Sequence, residues 1–364
     1  MLSQQLIISF RPMQALRQTF ISKRPVASFL TASLGGGISY AFFIEQKANT
    51  KVSSSSLLAG GGITSIPREY DRDAIADYWK QRPISVVSRI GMIGYEFIPL
   101  LSNYIIDFKI FNHKNNDLDR QQETYISHAA KLRQALTNLG PAFIKFGQQI
   151  SIRPDLLPAP VLKELQKLCD AVEPIPDHIA MQTLMQEIGQ ETLDKCLLHP
   201  SSKMELVAAA SLGQVYKTTL KSGQNVALKI QRPDMIQKVS LDLFLLNQYG
   251  LLLDTIFEVL TNQIPFHVNF IDCFARASFE ELDYEKEAKN QLFFRKEFEK
   301  RKCQVHIPLV FDQLTTRRVI CSEWIDGVKL ADAGQDTIRR LIPVGVELFM
   351  TQLLDIGAFH ADPQ

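Results

Sequence analysis

Two short runs of alternating residues around a glycine-containing turn constrain the fold more than any other feature of the sequence. The runs are 215–219 and 226–230, and the turn is 221–225. This pattern predicts a β-hairpin. Because successive strand side chains point to opposite faces, we expect Ala227 and Lys229 to share one face. The other face of the second run is then aliphatic and predicted to be core, with Val226, Leu228 and Ile230.

Most of the remaining chain has helical periodicity. Apolar residues at three- and four-residue spacing predict a helix over 68–108, and an amphipathic helix is expected to end near Leu139. Pro141 is well placed to open the next helix. A final helix at 337–356 is apolar around most of its surface, so we expect it to be buried on several sides. A long helical region at 234–301 and strand-like runs at 305–310 and 317–324 complete an α-rich α+β pattern.

The first sixty residues differ in composition from the rest. They contain one acidic residue, Glu45, against six basic residues, and they are rich in Ser, Ala and Gly. This composition is typical of an organelle transit peptide, so residues 1–65 are interpreted as a transit peptide and linker. The apolar stretch 28–44 has the length of a short membrane span, but three glycines interrupt it. A spanning helix is therefore the less favoured alternative there.

Charge and cysteine content narrow the function classes. The chain has 40 basic and 39 acidic side chains, a balance that gives no support to nucleic-acid binding. Its five cysteines are far apart, and no pair has the CxxC spacing of a zinc or redox site. We interpret them as free thiols packed in the interior of a protein from a reducing compartment.

Three further segments are candidates for chemistry. The alanine-rich run at Ala208, Ala209, Ala210 and Ser211 stands where a glycine-rich phosphate loop would precede the hairpin. It is stiffer than a glycine loop, and it is either a phosphate loop or a packing turn. The segment 319–327, which includes Glu323 and Ile325, is either a hinge that binds adenine through its backbone or an edge strand ending in an Asp-Gly turn.

The acidic run 280–288 is read as one helix. Asp283 and Glu287 lie four residues apart on one face, whereas Glu281 points away from them. One regular helix cannot direct all three carboxylates at the same lysine. An acidic face of this kind is either solvated or supplies the partner of Lys229, as in kinases.

Taken together, these segments resemble the UbiB family of atypical kinases, also called aarF-domain-containing kinases. The resemblance covers about residue 68 to the end. It rests on a K-x-G-Q motif at Lys145–Gln148, the alanine-rich run, the lysine strand 226–233 and the acidic run. The segment Glu323–Gly327 and the closing 359–363 complete it. The opening segment 66–82 is closer to the cyanobacterial and plastid branch of that family.

The resemblance implies a protein-kinase-like fold and a set of roles. The segment 66–200 is a helical extension carrying the K-x-G-Q motif, 201–327 is a complete N-lobe, and 328–364 begins the C-lobe. Lys229 is then the lysine that binds the phosphates of ATP. Ala208–Ser211 is the nucleotide loop, and Ala227, Glu323 and Ile325 surround the adenine. Asp362 is the catalytic aspartate, preceded by a structural His360.

Further implied roles concern the acidic run and the metal. Glu281 and Asp283 form the pair that meets the K-x-G-Q helix, where Lys145, Gly147 and Gln148 are regulatory and the helix crosses the peptide cleft. Glu287 is the candidate partner of Lys229, with Glu281 as its competitor. The Asn and Asp that bind Mg²⁺ in the family are expected to fall beyond this chain, together with most of the C-lobe. We therefore expect the chain as it stands to be inactive.

The implied function is an ATP-binding, kinase-like ATPase supporting prenyl-quinone or other isoprenoid-lipid metabolism. Its partners would be ATP, Mg²⁺, a lipid or quinone-related small molecule and a membrane surface, with no nucleic acid. The alternatives are a catalytically dead regulatory module that binds nucleotide or partners, and a helical scaffold at a membrane surface. The destination is a plastid, with a membrane or a plastoglobule as the site within it, and the mitochondrion is the alternative.

Overall fold

The computed structural model describes a mixed helical and antiparallel β protein, as the sequence predicts. Its described part contains eleven α-helices and one four-stranded sheet. The predictions for the leader and its apolar stretch, and those for His360 and Asp362, lie outside the described residues. The described residues are 65–111, 118–154, 157–169, 172–198, 204–260, 265–328 and 330–359.

The sheet has the order β1-β2-β3-β4, and every neighbouring pair is antiparallel. The predicted hairpin is β2 and β3, and its register places Val215 opposite Lys229. The strand-like run 305–310 is not a strand, since only Val310 forms an isolated bridge. Pro308 within this run has no N–H to donate to a ladder. The strands are β1 (Glu205–Ala209), β2 (Gly213–Thr219), β3 (Asn225–Gln231) and β4 (Val319–Glu323).

One face of the sheet forms a hydrophobic core. The aliphatic residues of β3 predicted to be core, Val226, Leu228 and Ile230, are fully buried. Two helices, α6 (Asp177–Ile188) and α7 (Gln190–Cys196), pack their buried leucines into the same cluster. These helices belong to the segment that the sequence assigns to the helical extension. The domain boundary near residue 200 stays a prediction.

The N-terminal helical region consists of two helices where the periodicity predicts one. They are α1 (Arg72–Lys80) and α2 (Pro83–Phe111). The interruption falls at the two residues before Pro83, where the proline ring disfavours helical backbone. The side chain of Asp71 accepts hydrogen bonds from the first N–H groups of α1 and so caps it.

Three helices carry the segment around the K-x-G-Q motif. They are α3 (Leu118–Leu139), α4 (Pro141–Ser151) and α5 (Ala159–Gln166). Gly140 separates the first two with a φ of 94°, a left-handed value that glycine adopts without strain. Pro141 opens α4 as predicted. Buried side chains from α3, α4 and α5 form one cluster with Leu168, so the motif sits on a packed base.

The region 234–301 consists of three helices instead of one continuous run. These are α8 (Met235–Leu260), α9 (His267–Glu281) and α10 (Tyr284–Arg301). The prediction that 280–288 is one helix is therefore wrong. Asp283 ends the first run and caps the second, because its backbone is extended and its side chain accepts from the N–H of Lys286.

The last described helix, α11 (Gln335–Met350), is followed by a π-helical turn, Thr351–Ile356. The helix has no buried residue within the described structure. The burial on several sides that its apolar surface predicts is therefore not provided by the described residues. Large apolar side chains are exposed along this segment, among them Leu341, Ile342, Val346, Phe349 and Leu354.

Two helices in the described chain are long and apolar enough to cross a membrane. In the most apolar stretch of α2, within Pro83–Asp107, 6% of the residues are buried, whereas in that of α8 28% are buried. Length and composition alone do not separate a membrane helix from a core helix. We read α8 as a core helix, because its Asp242 is buried and accepts two hydrogen bonds from Arg89 of α2.

The cysteines are only partly interior. Cys321 is buried, which raises its pKa to about 12. Cys196 and Cys303 are partly exposed, and Cys273 is exposed. The prediction of interior thiols is therefore wrong for Cys273, whose place on α9 faces solvent.

Candidate functional site

A lysine and a glutamate from different elements meet beside the sheet. Lys229 of β3 donates from Nζ to both carboxylate oxygens of Glu287 on α10, at 2.9 and 2.7 Å. Their side chains are 34% and 41% exposed. An ion pair with this exposure keeps access to solvent and to a ligand. The structure therefore brings together two of the residues that the sequence singles out, with Ala227 on the same face of β3.

The second glutamate of the acidic run has a different lysine. Glu281, at the end of α9, lies 2.7 Å from Nζ of Lys145 on α4. Of the two carboxylates considered for Lys229, the geometry gives Lys229 to Glu287 and Lys145 to Glu281. This division is possible because the helix is interrupted between them at Leu282 and Asp283.

Asp283 does not contact α4. Its buried carboxylate accepts from Nε of Arg68 at 3.0 Å and caps α10. Burial acts to raise the pKa of Asp283, but the hydrogen bond and charge of Arg68 outweigh it and lower that pKa. The same guanidinium contacts Glu285, which extends the tie to the first turn of α10. Asp283 therefore fixes the helix break to the N-terminal segment.

Tyr284 lies directly after the helix break and beside the Lys229–Glu287 pair. Nζ of Lys229 lies 4.5 Å from the centre of its ring, a cation–π distance. Burial, followed by the charges of Glu287 and Glu281, raises the pKa of Tyr284. Its hydroxyl is buried and has no hydrogen-bond partner in the described structure. Sequence reasoning did not single out this residue, and its place directly after the capping Asp283 is the signal that would have indicated it.

The alanine-rich run is partly strand. Ala208 and Ala209 belong to β1 and pair with Val215 and Gln214. Of the run, only Ala210 and Ser211 therefore lie in the turn 210–212 that leads into β2. The predicted loop is therefore shorter than the run, because β-pairing takes its first two residues.

A backbone hydrogen bond and a side-chain hydrogen bond stiffen this turn. The Ala210 N–H donates to Gly213 O at 2.8 Å, and Arg232 Nε donates to Ala210 O at 3.0 Å. Gly213 allows a close approach, since a Cβ there would lie 2.6 Å from Ile230 O and 2.7 Å from the Tyr284 hydroxyl. The turn is thus connected to both β3 and α10.

The predicted hinge follows β4. The Glu323 N–H donates to Leu309 O at 2.8 Å, and its carboxylate accepts from the Leu309 N–H. The Trp324 N–H donates to Asn225 O at 3.2 Å. Within the described residues the Ile325 N–H has no backbone partner. Ile325 is therefore the first position after β4 whose main-chain N–H is available to a ligand.

The K-x-G-Q motif is divided between a packing role and a polar role. A Cβ on Gly147 would lie 2.5 Å from a methyl carbon of Leu168 and 2.8 Å from one of Leu136, so any larger residue requires these two leucines to shift. Gln148 donates to Leu168 O at 3.2 Å and holds the same base. Lys145 alone reaches the acidic run.

These elements offer three features to a ligand. Lys229 presents an ammonium group, Ala227 leaves room on the strand face, and Ile325 offers a free N–H. Among the residues that the structure describes, no three His, Cys, Asp or Glu side chains cluster as a metal site.

Comparison with known proteins places this geometry in a family. Residues 167–364 match the ABC1 atypical kinase-like domain. The chain belongs to this family. The kinase-like fold that the sequence predicts is thereby confirmed. The match begins ahead of the sheet and includes the helices α6 and α7 that pack on it.

Three relatives indicate the branch. An uncharacterized protein of Synechocystis sp. is 35% identical over 301 residues, which are 81% of this chain and 42% of that protein. Protein ACTIVITY OF BC1 COMPLEX KINASE 3, chloroplastic, of Arabidopsis thaliana is 34% identical over 300 residues, 81% and 40% of the two chains. Probable protein kinase UbiB of Cellvibrio japonicus is 31% identical over 242 residues, 65% and 43%. The relatives are thus of cyanobacterial, plastid and UbiB types.

The chain spans about half or less of the length of the curated relatives it matches. Its aligned part covers between 40% and 51% of the first five of them. Activity, substrate and partners of the whole protein are therefore matters for proposal.

Proposed function

We propose that this protein binds ATP in the cleft beside β3 and acts as a kinase-like ATPase supporting prenyl-quinone or other isoprenoid-lipid metabolism. The observation that carries the nucleotide part is the ion pair of Lys229 with Glu287, which joins β3 to α10. In kinases this pairing positions the lysine on the nucleotide phosphates. The lipid part rests on the resemblance to the UbiB family.

Each remaining residue has a proposed role in that cleft. The run Ala208–Ser211, at the end of β1 and the start of the turn, supplies backbone N–H groups that are not used in pairing, such as that of Ser211, to the phosphates. The Glu323 carbonyl and the Ile325 N–H bind the adenine. Asp362 is the proposed catalytic aspartate. Mg²⁺, when bound with the nucleotide, would neutralise developing phosphate charge.

Lys145 and Glu281 have a proposed regulatory role. Their pair bridges α4 and α9, and we expect it to hold α4 at the edge of the nucleotide cleft. We expect this helix to limit access of peptide substrates, with Gly147 and Gln148 fixing its base. The proposed enzyme then hydrolyses ATP and phosphorylates peptides in trans poorly.

A regulatory module that binds partners is the second candidate. The exposed apolar side chains of α11 favour it, because large apolar patches mark interaction sites. The apolar surface of α2, with little burial in its most apolar stretch, likewise favours association with a membrane surface.

The proposed destination is a plastid. Several relatives of this chain carry the word chloroplastic in their names, and the acid-poor leader has transit-peptide composition. A fluorescent fusion of residues 1–70 should mark plastids in plant cells. Labelling of mitochondria would reverse the assignment.

Nucleotide binding tests the function directly. We expect titration of the full chain with ATP to give saturable binding, and Ala209→Gly to change the affinity by loosening the end of β1 that leads into the turn. Binding excludes a purely structural scaffold, whereas no binding at millimolar ATP overturns the proposal. In a protein that also contains the family's Asn and Asp ligands for the metal, Mg²⁺-dependent release of phosphate then separates an ATPase from a module that only binds nucleotide.

A further inference from the structure

A cavity of about 910 Å³ lies between α2, the junction of α3 and α4, the segment 172–175 and the start of α8. Of the candidate nucleotide residues only Ser211 lines it. The cavity is therefore separate from the strand face that carries Lys229. Its volume falls in the range of about 300–1,000 Å³ that small-molecule sites occupy.

The wall of this cavity is apolar over much of its extent. Met92 of α2, Ile144 of α4 and Leu241 of α8 come from three different helices and line it together with Met235. Such a surface favours a hydrocarbon group, because removing apolar area from water is the main driving force for binding it. A ligand without an apolar part would leave this apolar wall in contact with water.

The charges that line the cavity are mostly positive. Four cations and one carboxylate, that of Glu173, are among its lining residues. Two of the cations, Arg89 and Arg133, are neutralised by buried carboxylates outside the lining. Within the described structure no carboxylate lies within ion-pair distance of the other two, Arg232 and Lys238. The cavity therefore presents positive charge for an anion.

Arg232 is built into this position. Its guanidinium donates to Ala210 O at 3.0 Å and to Glu173 O at 2.7 Å, and its backbone N–H donates to Leu212 O. A guanidinium has five N–H donors, so three remain for an anion. Arg232 thus faces the cavity while it holds the alanine-rich turn of the nucleotide cleft.

We propose that this cavity binds an anionic amphiphile, a molecule with a phosphate head and a hydrocarbon tail. Arg232 and Lys238 bind the head, and the apolar wall receives the tail. Because Arg232 also holds Ala210 O, occupancy of the cavity is coupled to the conformation of the alanine-rich turn. This coupling, unlike the binding itself, rests on the proposed nucleotide function.

The test uses decyl phosphate below its micelle concentration, titrated into the full chain by calorimetry. We expect it to bind at least about tenfold more tightly than inorganic phosphate or decyl glucoside, which supply the head or the tail alone. Lys238→Gln should weaken binding about tenfold, while Lys163→Gln on the surface of α5 should not. Ser88→Trp should block the cavity, and Ser102→Trp, on the same helix but outside the lining, is its matched control.

Three results would overturn the site. They are equal affinity for decyl glucoside, equal affinity for inorganic phosphate, and unchanged binding in Ser88→Trp. The coupling is tested by repeating the ATP titration with decyl phosphate bound, where we expect a several-fold change that Ser88→Trp removes. Equal ATP affinity with and without decyl phosphate would overturn the coupling. Absence of ATP binding altogether would reject the nucleotide function and leave the cavity site standing.

Discussion

Replacement of Lys229 by alanine separates a role in nucleotide binding from a role in stability. Its ion pair with Glu287 is partly exposed, at 34% and 41% for the two side chains, and pairs of this kind contribute about 0–1 kcal/mol to stability. A charge-assisted contact with phosphate contributes more, about 1–3 kcal/mol. We therefore expect the free energy of unfolding to change by less than about 1 kcal/mol, while ATP affinity falls about 5- to 150-fold.

The assay is calorimetric titration of the full chain with a non-hydrolysable ATP analogue, paired with urea denaturation of the same variants. Lys221→Ala is the matched control, because Lys221 lies in the turn of the same hairpin and is exposed. It should keep the nucleotide affinity of the unmodified protein. Equal affinity of the Lys229→Ala and Lys221→Ala proteins would refute the assignment of Lys229.

The two glutamates give a second, internal control. Glu287→Gln removes the charge that orients Lys229, so it should weaken nucleotide binding, though less than loss of the lysine itself. Glu281→Gln breaks the contact with Lys145 instead and should leave the affinity for nucleotide almost unchanged. If Glu281→Gln weakened binding as much as Glu287→Gln, the division of the acidic run between two lysines would be wrong.

Three further predictions concern stability. Burial, opposed by Arg89, raises the pKa of Asp242 to about 6, above the ordinary value of about 3.9. The folded state therefore binds a proton on Asp242 more tightly than the unfolded chain does. The stabilisation from this proton should be lost as the pH rises from about 4 to about 6, by up to about 3 kcal/mol. Asp242→Asn should abolish this slope in urea denaturation at stepped pH. Gly147→Ala should lower the free energy of unfolding by about 1–3 kcal/mol because of overpacking. Gly91→Ala is the control: nothing lies within 4 Å of a new Cβ there, so it should raise the free energy of unfolding by up to about 1 kcal/mol. Equal effects of the two substitutions would contradict the packing argument. Asp283→Ala should lower the free energy of unfolding by about 0.5–2 kcal/mol through loss of the helix cap, and Asp283→Asn, which still caps, should recover most of it. An equal loss in both variants would show that the charge paired with Arg68, and not the cap, carries the effect.

The part of the site that local periodicity determines could be predicted from the sequence. A strand with buried and accessible residues in alternation places Ala227 and Lys229 together whatever surrounds it, and the pairing of β2 with β3 follows from the turn between them. The aliphatic face of β3 was predicted to be core for the same reason. These features need no knowledge of distant parts of the chain.

The helix break at 282–283 could not be obtained from periodicity, although a local signal was present. Asp283 is a good cap residue, and Glu285 and Glu287 follow in the first turn of α10, where acidic residues favour a helix start. With no glycine or proline at this point, helical periodicity continues across the break. The contacts that stabilise it, such as that of Arg68 with Asp283, join residues 215 positions apart. No local pattern contains such a contact.

The break explains how one short acidic segment serves two lysines. In a continuous helix Glu281 and Glu287, six residues apart, would point about 120° away from each other, so the helix could not direct both at the sheet. Because α9 ends at Glu281 and α10 begins at Tyr284, the directions of the two glutamate side chains are not fixed by one helix. Glu281 then reaches Lys145 on α4, and Glu287 reaches Lys229 on β3. Tyr284 follows the break directly: its ring centre lies 4.5 Å from Nζ of Lys229, and its hydroxyl is so close to Gly213 that a Cβ there would lie 2.7 Å from it. Through these two ion pairs one short acidic segment is joined both to α4 and to β3.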